Sequence, residues 1–268
     1  MLKLYHNDMS TCSQKVRFLL VEKGLEWEGV ELDLRRGDQQ QPEFLKINPK
    51  GLVPALDHDG NIVSESNIII EYLNEVYPDP PLLPADPASR AKARWWMKKL
   101  DDGMHLEVAV LSFAIAFRHQ LIEACGSDEA LEKHFAGIRD PYIQEVQRQV
   151  VPHGTESPRF VQAVLQYEKL LGEMNLALAS NRWLVGDSLS LADIAYSPYL
   201  TRLDHLGLDG LWADKPHFAG WYTRLAQTRG YREGVSNWFN RKYLPLMKQA
   251  GMEAWPRVAG IRDEARAA

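Results

Sequence analysis

Cysteine is scarce in this 268-residue chain: Cys12 and Cys125 are the only two. Two thiols cannot build a disulfide framework, and no CxxC or Cys/His cluster offers the spacing of a zinc site, so neither bridges nor a metal are expected. That usage fits a reducing compartment. The opening MLKLYHND carries neither the basic region nor the apolar stretch of a secretion signal. The longest apolar run, residues 108–117, is shorter than a bilayer crossing. The expectation is a cytoplasmic protein with no membrane partner. An excess of positive charge is missing too: the formal net charge is −5 and the basic residues are scattered, which removes the electrostatic basis for binding nucleic acid. Repeats and low-complexity tracts are absent. What remains is a chain long enough for one large or two ordinary domains with a real core, and a small molecule as the expected partner.

The first part alternates strand and helix signals. Leu2 and Leu4 alternate ahead of Asn7-Asp8, as in a short strand and its turn. Val16, Leu19, Leu20 and Val21 then follow helical spacing up to Gly24, a helix-ending residue. Val30, Leu32 and Leu34 alternate as a second strand, and a polar stretch leads to a short helix near residues 42–46. Residues 53–56 and 61–63 flank Asp59-Gly60, a hairpin signal, and SNIIIEYLNEVY reads as a helix from about Ser66. The order β, α, β, α, β, β, α predicts an α/β domain with a mixed four-stranded sheet. YPDPPLLPADP, residues 77–87, holds five of the fifteen prolines and predicts a semi-rigid linker at residues 79–87. Beyond it strand signals stop. Helical patterns from 88 to about 120, 158–179, 190–206 and 216–228 predict an all-α bundle, residues 88–250, with a tail at 251–268 that frays after Trp255.

The chemistry concentrates at DMSTCSQKVR, residues 8–17. Its plain reading is a capping box, in which Thr11 and Gln14 satisfy the first amides of a helix. The same geometry also aims those amides and the positive end of the helix dipole at whatever lies there, which favours a thiolate. That thiolate could be Cys12 itself, or an external thiol kept ionised by a hydroxyl from Ser10 or Ser13. Ser64-Glu65-Ser66 precedes another helix and could offer a hydroxyl and amides to a carboxylate and an acid to an amine; the plain reading is that Ser66 is an N-cap. Val53-Pro54 opens a strand. A proline there suits an edge, with a cis bond as one option, and leaves a valine backbone to pair with an extended ligand.

These motifs in this order, with the proline linker and the helical second part, resemble the glutathione transferase superfamily over nearly the whole chain. STCSQKVR resembles the opening motif of zeta-class enzymes and tetrachlorohydroquinone reductive dehalogenases, whereas RWWMKKLDD and the long region before Pro158 resemble bacterial glutathione-dependent β-etherases. The resemblance implies a thioredoxin-like domain at residues 1–78 that binds glutathione as co-substrate, an apolar aromatic electrophile in a cleft between domains, and a homodimer. It implies Ser10 as the activating serine and Cys12 as the dehalogenase cysteine. Val53 and Pro54 would hold the cysteinyl backbone of glutathione, Glu65 and Ser66 its γ-glutamyl end, and Gln39 its glycyl carboxylate. Leu52 stands where a lysine or glutamine often assists, with Lys50 as a substitute. SLSLADIAY resembles the family's folding box, with Ser190 and Asp193 exchanging hydrogen bonds away from the site. Trp95, Trp96, Met104, Phe113 and Phe117 could wall the pocket or simply be core. Two rivals stay open: a non-catalytic binding module, and a thiol oxidoreductase working through Cys12 with glutathione as the second thiol.

Overall fold

The computed structural model describes residues 1–267. Its first elements follow the predicted order: β1 Leu2–His6, α1 Thr11–Glu22, β2 Glu28–Glu31, α2 Pro42–Leu45, β3 Ala55–His58, β4 Asn61–Ser64 and α3 Ser66–Val76. The sheet runs β2-β1-β3-β4, with β1 parallel to β2 and antiparallel to β3, and β3 antiparallel to β4. This is the mixed four-stranded sheet of a thioredoxin-like domain. The parallel pair needs a crossover, which α1 supplies, whereas the antiparallel pair closes through Asp59 and Gly60 at φ +52° and +88°, as a primed hairpin turn requires. Leu4, Val16, Phe18, Leu19, Leu56, Ile69, Ile70 and Leu73 interlock as its core.

Within the sheet, two details differ from expectation. β2 ends at Glu31, so Leu32 and Leu34 lie beyond the strand. β3 lies inside the sheet rather than at an edge; Pro54 is tolerated because it stands one residue before the ladder, where no amide is required. The Val53-Pro54 bond is cis, as is Asp79-Pro80 in the proline-rich stretch.

The helices that follow are α4 Pro87–Lys99, α5 His105–Ser112, α6 Arg118–Cys125, α7 Asp128–Ala136, α8 Pro141–His153, α9 Pro158–Leu178, α10 Leu191–His205, α11 Pro216–Ala226, α12 Arg229–Gly234 and α13 Leu244–Ala267. π-helical turns fill Leu100–Met104 and Phe113–Phe117. The tail expected to fray after Trp255 is helix α13, because Val258 and Ile261 find buried positions and Arg266 pairs with Glu168.

By internal contacts the chain forms two compact units. One comprises Met1–Lys98, Ser180–Pro198 and Gly220–Asn240; the other comprises Lys99–Ala179, Tyr199–Ala219 and Arg241–Ala268. Within the first, Lys23 donates to the carbonyls of Tyr77 and Pro80 and so ties the proline-rich stretch to α1. Asp193 at the start of α10 accepts from the amide and hydroxyl of Ser190, where an exchange was expected, and also from the amide of Leu184 and the indole of Trp221. In the second, α5 packs on α9, and Leu131, Phe135 and Val151 form a satellite core against which Phe113, Leu121 and Cys125 lie. The stretch Pro87–Cys125 is long and apolar enough by composition to cross a membrane, yet Val108, Val110, Leu111 and Ile115 along it are buried within the helical unit.

Candidate functional site: the start of α1 and the start of α3

The candidate site starts where β1 hands over to α1. Ser10 is extended at φ −68°, ψ 118°, and caps the helix: its Oγ accepts from the Ser13 amide at 3.2 Å and its carbonyl from Gln14 at 3.0 Å. The cap is therefore Ser10, not the expected Thr11-Gln14 pair, because Thr11 already has helical geometry and Gln14 reaches the Asp8 carbonyl instead. Cys12 is the second helical residue and half-buried; neither it nor Cys125 forms a disulfide. Ser13, grouped with Ser10 in the sequence reading, faces inward. It is fully buried and its Oγ accepts from the Asn7 amide, so it braces the turn rather than presenting a hydroxyl to a ligand.

That turn is held by a residue to which sequence reasoning gave no role. Arg17 is fully buried and donates to the carbonyls of Asn7, Asp8 and Gly234, at 2.8, 3.0 and 3.0 Å, while its guanidinium lies over the Trp238 ring. Its Nη1 also donates to His6 Nδ1. Asn240 adds a bond to Asp8 Oδ2. The chain from Asn7 to Ser10 is thus fixed from behind by a planar fork, a geometry lysine could not supply. Burial, and then the Arg17 charge, push the His6 pKa down to about 4.

The second part lies at the start of α3. Glu65 has φ +70°, a conformation that costs a non-glycine residue about 1–3 kcal/mol, and Ser66 is the first helical residue rather than the cap expected for it. The Ser66 hydroxyl accepts from the buried ammonium of Lys15 at 3.2 Å, and Asn67 Oδ1 accepts from the same ammonium at 3.0 Å. Lys50 pairs with Glu65 at 2.7 Å; that hydrogen bond and charge raise the lysine pKa. The loop before Val53 is shaped by Asn48, which bonds the Lys50 amide and the Leu52 carbonyl, and by Gly51 at φ +64°. Gln39 lies in a short 3-10 turn, with Nε2 3.4 Å from the Leu34 carbonyl and a buried, unpartnered Oε1.

The proposed pocket residues fare differently. Trp96 is buried in the first unit, its ring edge-on to Tyr196, and Trp95 is exposed. Met104, Phe113 and Phe117 belong to the second unit, where Phe113 and Phe117 stack edge to face and Phe117 lies under Arg202. Phe113 also lines an apolar recess of about 20 Å³ with Val110, Val146 and Val150. A larger groove, about 560 Å³, is lined by Pro78, Pro81, Arg90 and Ser190 and contains none of the predicted site residues. Lys15, Arg17 and Asn67 are the residues sequence reasoning missed. Arg17 sat inside the quoted motif, but polar residues in an amphipathic helix ordinarily read as solvent-facing, and only the tertiary fold shows them buried.

In sum the arrangement offers two helix starts with oriented hydroxyls, one beside a half-buried thiol and one backed by a buried cation. The family model "Glutathione S-transferase, N-terminal domain" matches residues 1–75, and "Glutathione S-transferase, C-terminal domain" matches residues 128–224. Protein LigF of a Sphingobium species is 32% identical over 232 residues, 84% of this chain and 89% of that one. The crystal structure of β-etherase LigF superposes with a TM-score of 0.78 at 31% identity, covering 87% of this chain and 98% of that one. A zeta-class glutathione S-transferase of Euphorbia esula is 52% identical over 85 residues, 32% of this chain and 38% of that one. The tetrachloro-p-hydroquinone reductive dehalogenase of Sphingobium chlorophenolicum is 25% identical over 248 residues, 88% and 97% of the two chains. Both halves of the dual resemblance seen in the sequence are represented among these relatives, and the chain belongs to the glutathione S-transferase family.

Proposed function

We propose that the protein joins glutathione to a hydrophobic aromatic electrophile, at an aryl-ether or aryl-halide carbon, and that Ser10 keeps the attacking thiol ionised. The observation that carries this reading is the direction of hydrogen bonding at Ser10. Its oxygen already accepts from the Ser13 amide, so its proton is left to donate outward at the positive end of α1. Glutathione, when bound, supplies the nucleophilic sulfur. Arg17 and Asn240 hold the Ser10 turn, Val53 and Pro54 present the backbone for the cysteinyl unit, and Ser66 with Glu65 receives the γ-glutamyl end. Gln39 is assigned to the glycyl carboxylate through Nε2, which carries two N–H groups and directs one at the Leu34 carbonyl; Lys50, assigned to the same carboxylate, would have to leave Glu65 to reach it. An aromatic electrophile is supported by the chain's likeness to a β-etherase and to a tetrachloro-p-hydroquinone dehalogenase.

The half-buried Cys12 in the first turn of α1 favours a second reading for reductive substrates. There the Cys12 thiolate attacks the sulfur of a glutathione-aryl conjugate, an S–S bond forms as the S–aryl bond breaks, and the aryl carbanion equivalent takes a proton. A second glutathione then releases Cys12 as the thiol and leaves as oxidised glutathione.

The test is a panel of aryl ethers, haloaromatics and maleyl acids, each incubated with the full-length protein and glutathione, with products read by mass spectrometry. Sulfur-bearing aromatic products from the first two classes are expected. Binding of glutathione without turnover of any of them would instead indicate a binding module.

A further inference from the structure

Behind the start of α3 runs a chain of hydrogen bonds in which every donor is dictated by chemistry. Asn67 Nδ2 lies 3.1 Å from the Met97 carbonyl, which can only accept, so the amide nitrogen faces Met97 and Oδ1 faces the other way. Oδ1 meets the Lys15 ammonium at 3.0 Å, and an ammonium can only donate. The same ammonium lies 3.2 Å from Ser66 Oγ, so that oxygen must act as acceptor there. One role is left to the Ser66 hydroxyl proton: donation to a further group. Lys15, Ser66 and Asn67 are all buried, and a buried ammonium is held at a desolvation cost of several kcal/mol. A charge placed there polarises the hydroxyl in front of it, in surroundings where water does not weaken the effect.

We infer that Lys15 is a positioning residue that fixes the Ser66 hydroxyl as a donor and thereby makes this end of the site select a carboxylate. The inference rests on the reading of the site as one for glutathione, whose γ-glutamyl end carries both an α-carboxylate and an α-amine. Glu65, one residue before Ser66, is engaged by Lys50, so acid and polarised hydroxyl stand side by side. They complement the two charges of an amino-acid head group. Lys15 acts through Ser66, so its removal weakens recognition of the carboxylate and leaves recognition of the amine intact.

The test uses three ligands on the full-length protein by titration calorimetry: glutathione, glutaryl-Cys-Gly, which lacks the amine, and 4-aminobutanoyl-Cys-Gly, which lacks the carboxylate. A charge-assisted hydrogen bond corresponds to roughly a 10- to 100-fold change in affinity. Lys15→Met should weaken glutathione and the glutaryl peptide by about that factor and leave the aminobutanoyl peptide within about twofold. Ser66→Ala, which leaves Lys15 on Asn67, should show the same selectivity, and on that background Lys15→Met should add less than about twofold. If Lys15→Met melts before titration, Ser66→Ala alone decides by the same three-ligand comparison. Equal losses on all three ligands, or wild-type affinity in both variants, overturn the role of Lys15. A wild-type protein that binds none of the three overturns instead the glutathione reading beneath it.

Discussion

Nη1 of Arg17 lies 3.1 Å from Nδ1 of His6, and because a guanidinium only donates, His6 must present that nitrogen unprotonated. The ring is buried between Trp27 and Trp238, edge-on to both. Protonation would place two cations nitrogen to nitrogen in a dry site. Burial and the Arg17 charge accordingly push the His6 pKa from 6.5 to about 4, against a smaller pull from Asp8. The unfolded chain therefore takes up a proton between pH 6.5 and 4 that the folded chain refuses, so stability is full above that window and falls through it on acidification. His205, held down to about 3 by burial and Arg202, extends the loss below it. Denaturant melts should show His6→Asn flattening the acid limb by ~2–3 kcal/mol across that window. An unchanged limb would contradict the assignment of His6.

Arg17 itself should be among the least replaceable residues of the first unit. Arg17→Met leaves the carbonyls of Asn7, Asp8 and Gly234 without their donor and is expected to cost about 3–5 kcal/mol. Arg17→Lys keeps the charge but cannot fork to three acceptors, so it should recover only part of the loss in a chemical denaturation series.

Asp193 supports the same unit from another side. Its carboxylate is fully buried; burial raises its pKa while the Leu184 amide, the Ser190 hydroxyl and amide and the Trp221 indole oppose that rise. Asp193→Ala strands all these donors and should lower stability by about 3–5 kcal/mol, with a change in Trp221 fluorescence. Asp193→Asn, which keeps one acceptor oxygen, should fall between.

Truncation after Trp255 tests the end of α13. It removes Val258 and Ile261, whose burial contributes about 1.5–3 kcal/mol each, together with the Arg266 pair to Glu168. The truncated protein should melt several degrees lower. An unchanged melting temperature would mean that the tail contributes nothing.

How much of this was legible in the sequence differs by residue. Asp59-Gly60 announced its hairpin because only a few residues accept positive φ, and Gly24 announced the end of α1 for the same reason. Glu65 gave no such sign, although it too has positive φ, because nothing about a glutamate predicts it. The helix cap was displaced by one residue because Ser10 and Thr11 have similar capping preferences and only the backbone tells which is extended. Pro54 suggested a sheet edge; its strand proved internal because the proline precedes the ladder. Lys15 and Arg17 were invisible as site residues because their partners, Ser66, Asn67 and Gly234, lie 51, 52 and 217 positions away in the chain. Val258 and Ile261 looked like part of a charged, fraying tail because their helical spacing is interrupted by charged neighbours that face solvent.

The central claim is that the Ser10 hydroxyl stabilises a thiolate at the start of α1. The most direct measurement is a spectroscopic pH titration of the glutathione thiol bound to the wild type, to Ser10→Ala and to Cys12→Ser. The account predicts an ionisation shifted below that of free glutathione in the wild type and in Cys12→Ser, and lost in Ser10→Ala. A shift that survives in Ser10→Ala but disappears in Cys12→Ser would contradict it.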